Sequence, residues 1–161
     1  MMKAPGTMPP SKRQSVLGAG VAAAIRQHGE ETFPHECCGA LVGTGDAVTH
    51  AVALPNTTEE GPRRRFLVRP SDYMMAEKRA SELGGELLGF YHSHPDHPAR
   101  PSQFDLDHAW PNFHYVIVAV ASGKSAAMTV WFLKDDRSSF DEGDINGDEN
   151  SDSDSAAAVH G

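Results

Sequence analysis

The sequence has few cysteines and no long apolar run, and both absences exclude classes of protein. Its 161 residues contain two cysteines, Cys37 and Cys38, which are adjacent. Adjacent cysteines pair only with strained geometry, so a secreted disulfide scaffold is excluded and a cytoplasmic location is expected. We interpret Cys38 as a small buried residue, and the alternative is that Cys37 and Cys38 act as a nucleophile or a thiolate ligand. No apolar stretch approaches the roughly 20 residues of a membrane span, so no membrane partner is expected.

The chain also lacks an excess of basic residues. Lys and Arg total 14 against 22 Asp and Glu, and the formal net charge is −8. Nine of the acids and one of the bases fall between residues 135 and 154, which leaves 13 acids and 13 bases elsewhere. A neutral body with an acidic end argues against nucleic acid as the partner, because phosphate binding requires a basic face. The basic cluster Arg63, Arg64 and Arg65 is interpreted as a solvated turn.

Length and composition predict one domain between two flanking segments. Residues 1–10 contain three prolines and predict a flexible leader. Residues 11–145 carry the apolar patterns of a folded domain. Residues 146–161 consist largely of Asp, Ser, Asn, Gly and Ala, and this composition predicts an acidic, disordered tail.

Helical and strand patterns are mixed along the domain. Two helices are predicted, from Ser11 to about His28 and from Ser71 to Leu83, with a shorter one over "SQFDLDHAW". The predicted strands are "CCGALVGTG", "AVTHAVALPN", "RRRFLVRP", "ELLGFYHSH", "HYVIVAVAS", "SAAMTVWFLK" and an edge strand over "SSFDEGDI". This mixture predicts an α/β or α+β fold with a mixed β-sheet.

Two histidines stand at the end of the buried strand "ELLGFYHSH". His92 and His94 are two residues apart, so both side chains point to the same face of the sheet and can share one ion. Imidazole suits zinc, and a catalytic zinc site requires a third protein ligand and an open position for water. Because His-x-His alone is a weak pattern, the interpretation depends on the third ligand.

Two sets of further ligands are available in the following residues. Asp96 and His97 complete His-x-His-x-Asp-His, the motif of metallo-β-lactamase-fold hydrolases, which are usually longer chains with further ligands downstream. Asp105 completes a different string, in which "HSHP" is followed after six residues by Ser102-x-x-Asp105. Taken alone, Ser102-x-x-Asp105 is also a helix capping box.

The second string resembles the motif of the JAMM (MPN+) metalloprotease family, which is His-x-His-Pro, a spacer and Ser-x-x-Asp. That family has a glutamate upstream at the start of an apolar strand, where "PHECCGALVG" supplies Glu36. The Glu-x-Cys-Gly form is similar to that of the compact prokaryotic branch. Similarity also covers "NTT", "FLVRPSDY" and "YVIVAV", so it spans about residues 11–145. It implies an MPN/JAB-like fold, a mixed and curved β-sheet flanked by helices with cytidine-deaminase-like layering.

The resemblance also implies the roles of five residues. One zinc ion per chain would be bound by His92, His94 and Asp105. Glu36 would take a proton from water and deliver it to the leaving amine. Ser102 would donate a hydrogen bond to the tetrahedral oxyanion. Together these roles imply a zinc metallopeptidase.

The substrate is likewise implied by the resemblance alone. Members of the family cleave after the C-terminal Gly-Gly of ubiquitin or ubiquitin-like proteins, and the compact prokaryotic enzymes remove amino acids, typically cysteine, from sulfur-carrier proteins. The expected function is therefore hydrolysis of the amide or isopeptide bond after the Gly-Gly of such a carrier, in cysteine biosynthesis. The alternatives are a deubiquitinase-like isopeptidase, a non-catalytic MPN scaffold and a RadC-like DNA-repair-associated protein. A homodimer is left open.

Overall fold

The computed structural model describes residues 13–55 and 68–147. Within these ranges the chain forms three helices and eight strands. In chain order they are β1 (Gln14–Leu17), α1 (Val21–Thr32), β2 (Cys38–Thr44), β3 (Ala47–Leu54), α2 (Pro70–Glu82), β4 (Glu86–Pro95), α3 (Gln103–Asp107), β5 (His114–Ala121), β6 (Lys124–Leu133), β7 (Phe140–Glu142) and β8 (Asp144–Gly147). The predicted leader, most of the predicted strand "RRRFLVRP" and the tail beyond residue 147 lie outside the described residues.

All eight strands belong to one sheet in the order β7-β6-β5-β4-β2-β3-β1-β8. Strand β1 runs parallel to β3 and β8, and β4 runs parallel to β5. The remaining neighbours are antiparallel. The predicted mixed sheet is therefore confirmed, and β4 lies near its middle with a neighbour on each side.

The two edges of the sheet approach each other at Gly143. Strands β7 and β8 lie at opposite edges, yet this single residue separates them in the chain. The Gly143 amide donates to the Val130 carbonyl of β6, and the Asp144 amide donates to the Arg13 carbonyl just before β1. A Cβ at position 143 would collide with that carbonyl and with the Phe132 ring. The sheet is therefore strongly curved, and the single edge strand predicted over "SSFDEGDI" is wrong, since this segment forms two strands.

The first half of the helix predicted from Ser11 to His28 is also wrong. Residues 14–17 form β1, whose pairing with β3 and β8 satisfies its backbone groups. The helix begins only at Val21, after Gly20 adopts a left-handed conformation with φ of 82°. Sheet pairing with distant segments overrides the local helical pattern here. The helix predicted from Ser71 to Leu83 is confirmed as α2 to within one residue at each end.

Helices α1 and α2 cover opposite faces of the sheet, and the strands alternate between the two cores. Tyr91 packs in the core beneath α1, which includes Val21 and Ile25. Its neighbour Phe90 packs in the core beneath α2, which includes Ala76. Side chains that follow Phe90 at intervals of two extend from the same face, so the end of β4 presents its histidines on the α2 side of the sheet. No helix of the described ranges is long and apolar enough to cross a membrane.

Candidate metal centre and active site

The carboxyl-terminal end of β4 holds His92 and His94 close together. The two residues are 2% and 7% exposed, and their Nε2 atoms are 3.1 Å apart. Strand β2 pairs with β4 on one side, where Cys38 lies opposite His92. Strand β5 pairs with β4 on the other side, where Ile117 lies opposite His92. Because both neighbouring strands fix the backbone, the two imidazoles are positioned by the sheet itself.

Asp105 is brought to the histidines by the start of α3. The Ser102 hydroxyl accepts a hydrogen bond from the Asp105 amide at 3.0 Å, and Asp105 Oδ2 accepts one from the Ser102 amide at 2.8 Å. The same Oδ2 atom lies 3.4 Å from the Nε2 atoms of both His92 and His94. The predicted capping box is therefore present, and it directs the carboxylate towards the histidines.

The spacing of these three side chains fits one tetrahedral ion. Two ligands at zinc-to-ligand distances of about 2.0–2.1 Å lie about 3.3 Å from each other in a tetrahedral site. The observed donor separations are 3.1, 3.4 and 3.4 Å. Within the described residues, one group of three or more His, Cys, Asp or Glu side chains has its ligand atoms within 4.8 Å of one another. This group consists of His92, His94 and Asp105. The group could hold a metal ion, and its assignment to zinc stays a prediction.

Surrounding groups orient the His94 ring and keep Asp105 ionised. The Nδ1 atom of His94 lies 2.8 Å from the Pro98 carbonyl, which can only accept, so Nδ1 carries a hydrogen and Nε2 is the nitrogen that faces Asp105. Burial alone would raise the pKa of Asp105, but His92, His94 and the Ser102 amide together hold this pKa well below its usual range. Asp105 is therefore a carboxylate at neutral pH, as metal binding requires.

Glu36 reaches the same cleft from the residues just before β2. The Ser93 amide donates to the Cys37 carbonyl at 3.1 Å, and the Cys37 amide donates to the Ser93 hydroxyl at 2.8 Å. This continuation of the β2–β4 register brings Glu36 beside His94, and Glu36 is 8% exposed. Four of the five predicted site residues line one cleft. These four are Glu36, His94, Ser102 and Asp105. His92 lies behind them against Asp105.

The cleft has a volume of about 270 Å³. Some of the residues that form its walls were not predicted from the sequence to line the site. Pro98, Arg100 and Phe104 line it together with His97. The Pro98 carbonyl carries no signal in the sequence, because any residue supplies a carbonyl. Arg100 had one available signal, which is its position between the two halves of the motif.

The alternative ligands Asp96 and His97 do not join the metal group. Asp96 is in a left-handed turn with φ of 57°, and its carboxylate accepts a hydrogen bond from the Ser122 amide at 2.8 Å. That amide belongs to the turn between β5 and β6, so Asp96 stabilises a turn. The geometry favours Asp105 over the lactamase-like ligand set.

The two adjacent cysteines are buried, which confirms the prediction for Cys38. Cys37 and Cys38 are 2% and 1% exposed. Burial raises the pKa of the Cys37 thiol to about 11 and that of Cys38 further still. A nucleophilic or metal-bound cysteine requires a low pKa, so the alternative role is disfavoured.

A family model described as prokaryotic homologs of the JAB domain matches residues 18–134. The chain belongs to this family. The resemblance to the compact prokaryotic branch of the JAMM/MPN+ proteins is thereby confirmed.

Two curated relatives are named as enzymes. The desampylase of Haloferax volcanii is 34% identical over an alignment of 108 positions, and the match covers 63% of this chain and 77% of the relative. A probable TtuB-protein conjugate cleaving protease of Thermus thermophilus is 34% identical over 98 residues, which are 61% of this chain and 65% of the relative. The predicted class of enzyme, a JAMM-type isopeptidase or peptidase, agrees with these names.

Solved structures confirm the predicted MPN/JAB-like fold. The solution structure of a protein from Salinibacter ruber superimposes with a TM-score of 0.65 at 38% identity, covering 83% of this chain and 92% of that one. A JAB1/MPN domain protein from Archaeoglobus fulgidus superimposes with a TM-score of 0.53 at 18% identity, covering 82% and 97%. At that identity the second structure bears on the fold alone.

Proposed function

We propose that this protein hydrolyses the amide bond that follows the C-terminal Gly-Gly of a ubiquitin-like sulfur-carrier protein, releasing an amino acid such as cysteine in the cytoplasm. The observation that carries the proposal is the placement of Glu36 in one cleft with a three-donor metal group. A relative named for cleaving protein conjugates supports hydrolysis of a conjugate and does not identify the leaving group.

His92, His94 and Asp105 would hold one zinc ion per chain. When bound, zinc supplies the positive charge that makes water acidic and a carbonyl electrophilic. Two neutral imidazoles and one carboxylate leave that charge only partly neutralised, which suits a catalytic site rather than a structural one.

Glu36 is positioned to move the proton. Its carboxylate takes a proton from the attacking water and passes it to the nitrogen of the leaving amine. The water oxygen forms a bond to the glycine carbonyl carbon, and the bond between that carbon and the nitrogen breaks. The products are a carrier with a C-terminal carboxylate and a free amine.

Ser102 can stabilise the oxyanion while it also caps α3. Its Oγ atom accepts a hydrogen bond from the Asp105 amide, and a hydroxyl that accepts one hydrogen bond can still donate its own hydrogen in another. Ser102 is exposed at the cleft wall, so this hydrogen can reach a substrate oxygen. One such donor in an acyl-transfer site contributes about 10²-fold to turnover.

The size of the cleft supports a thin substrate. A volume of about 270 Å³ is below the range of roughly 300–1,000 Å³ that is usual for small-molecule sites. A Gly-Gly tail has no side chains to accommodate.

A second candidate function is cleavage of lysine isopeptides in protein conjugates. The name of the Thermus thermophilus relative favours it. The two candidates share the site and differ only in the leaving amine. The intact set of five residues argues against a non-catalytic scaffold.

The test is mass spectrometry of defined substrates incubated with zinc-loaded protein. Three substrates are compared in parallel, which are a carrier bearing cysteine on its C-terminal glycine, a carrier joined to a lysine side chain, and ubiquitin dimers. We expect the cysteine adduct to be cleaved fastest. Preferred cleavage of the lysine isopeptide would establish the second candidate, and cleavage of none of the three would refute both.

A further inference from the structure

Arg100 lines the cleft, and the chemistry described above does not use it. Its side chain is exposed at the wall that also carries Ser102 and Asp105. Within the ranges 13–55 and 68–147, no carboxylate or carbonyl accepts a hydrogen bond from its guanidinium, and no aromatic ring stacks on it. A cation at the wall of an active-site cleft is therefore available to a substrate.

The other arginines of the described part of the chain are all engaged. Arg13 stacks over the Phe132 ring, with 4.2 Å between its Cζ atom and the ring centroid. Two donate to backbone carbonyls, and two lie beside carboxylates of α2. These pairs are Arg26 with Ala126, Arg137 with Ala109, Arg69 with Asp72, and Arg79 with Glu82. Arg100 differs from these five both in its location and in its lack of a partner among the described residues.

The backbone that carries Arg100 is fixed. Its amide donates to the Pro98 carbonyl at 2.8 Å, and that carbonyl also faces Nδ1 of His94. The preceding carbonyl, that of Ala99, accepts a hydrogen bond from the Thr129 hydroxyl at 2.7 Å. The same short loop therefore orients a candidate metal ligand and presents an unengaged guanidinium to the cleft.

The charges of the cleft indicate what that guanidinium would bind. A divalent ion held by two neutral imidazoles and Asp105 carries a net charge of about +1, which Glu36 offsets. Arg100 adds one positive charge that no acid of the cleft wall balances. A substrate with one negative charge close to the scissile bond would complement the cleft.

An amino acid joined through its α-amine to the carrier has such a charge. Its α-carboxylate is attached to the carbon that bears the scissile nitrogen. In a lysine isopeptide the scissile nitrogen is at the end of the side chain, and the α-carboxyl group is part of a peptide bond. Arginine binds carboxylates through two parallel hydrogen bonds, so the two leaving groups are distinguishable at this position.

We propose that Arg100 binds the α-carboxylate of the leaving amino acid and thereby selects single amino acid adducts over lysine isopeptides. The proposal rests on the proposed function, because it assigns the leaving group of that same reaction. Arg100 is a specificity-determining residue in this scheme, and the proton transfer remains with Glu36.

The test compares two carriers that differ in one group, a C-terminal cysteine with a free carboxylate and the same cysteine as a carboxamide. In the native protein we expect kcat/KM to favour the carboxylate by about ten-fold or more, as is typical of hydrogen bonds to charged groups. In Arg100→Gln the ratio should fall towards one, and Arg100→Lys should restore part of it. Arg79→Gln, a paired arginine on α2, should keep the native ratio.

A binding measurement separates this proposal from the proposed hydrolysis. In the Glu36→Gln background, calorimetry gives the Kd of both carriers without turnover, and the same preference for the carboxylate should disappear with Arg100→Gln. If the native protein binds the carboxylate carrier more tightly than the carboxamide carrier but cleaves neither, the role of Arg100 is supported and the proposed hydrolysis is refuted. Equal Kd and kcat/KM for the two carriers in the native protein would overturn the role of Arg100. An equal loss for both carriers in Arg100→Gln would place this arginine against the body of the carrier and would also overturn it.

Discussion

One carboxylate oxygen of Asp105 belongs both to the helix cap of α3 and to the candidate metal group. Its Oδ2 atom accepts a hydrogen bond from the Ser102 amide, and this bond is part of the cap of α3. The same atom faces the Nε2 atoms of His92 and His94. Capping and metal binding therefore need the same carboxylate in the same orientation. This is why Ser-x-x-Asp is both an ordinary helix start and part of a metal motif.

The first prediction at the scale of single residues concerns the metal. Asp105→Ala should lose bound zinc, because two imidazoles alone leave the group without its anionic donor. The matched variant Asp96→Ala/His97→Ala should keep zinc, since neither side chain joins the group. Elemental analysis of both purified variants checks this. Zinc retained in the first variant and lost in the second would establish the lactamase-like ligand set.

The second prediction concerns the proton carrier. Glu36→Gln should fold and keep zinc, because the amide is isosteric and Glu36 is outside the three-donor group. Turnover should fall by about 10²- to 10⁴-fold, the usual contribution of general acid–base catalysis. Zinc content and turnover are measured on the same sample. Full turnover by a zinc-loaded variant would remove Glu36 from the mechanism.

The third prediction separates the two roles of Ser102. Ser102→Ala should lower turnover by about 10²-fold through the lost oxyanion donor and should cost about 1 kcal/mol of stability through the lost cap. Ser102→Gly removes the hydroxyl but costs only a few tenths of a kcal/mol as a cap. Both variants should therefore lose the same turnover and differ in their denaturation midpoints. Native turnover in Ser102→Gly would show that the hydroxyl acts only as a cap.

At the scale of elements, the pairing of β2 with β4 decides whether the site forms. Cys38 lies opposite His92, and the hydrogen bonds between Cys37 and Ser93 extend that register to Glu36. Gly39 permits this pairing, because a Cβ there would collide with the Tyr91 ring. The Glu-x-Cys-Gly string thus combines a cleft residue, a buried core residue and a position where a side chain does not fit.

Elements with local signals were predicted, and elements that depend on distant pairing were not. The two-residue spacing of His92 and His94 and the cap at Ser102 are readable from a few consecutive residues. The position of Glu36 depends on the register of two strands more than fifty residues apart, so only family resemblance indicated it. Strand β1 was mistaken for helix, because its partners β3 and β8 are far away in sequence.

The fourth prediction concerns strand β8 and the residues that follow it. Strand β8 pairs with β1 from Gln14 opposite Asp144 to Leu17 opposite Gly147, two residues beyond the predicted domain boundary at 145. Truncation after Gly147 should leave turnover and the melting temperature nearly unchanged, since the remaining acidic composition cannot bury a core. Truncation before Asp144 should lower the melting temperature by removing a strand from β1. A large loss in the longer variant would show that residues 148–161 contribute to the domain.

At the scale of the whole molecule, the curvature of the sheet brings its two edges together at Gly143 while β4 stays in the interior. The candidate site is thus placed on the part of the sheet with neighbours on both sides, where the backbone is most constrained. The loop and α3 that follow β4 supply the remaining groups of the cleft. The cytoplasmic location, the homodimer and the role in cysteine biosynthesis stay predictions.

The most direct test of the central claim is the mass of the carrier protein released in water enriched in oxygen-18. Zinc-loaded native protein should convert a carrier that bears cysteine on its C-terminal glycine into one that ends in Gly-Gly, with one heavy oxygen in its new carboxylate. Zinc-loaded Glu36→Gln should leave the substrate intact over the same period. Release without the heavy oxygen, cleavage at another bond, or no cleavage by the native protein would contradict hydrolysis after Gly-Gly at this site.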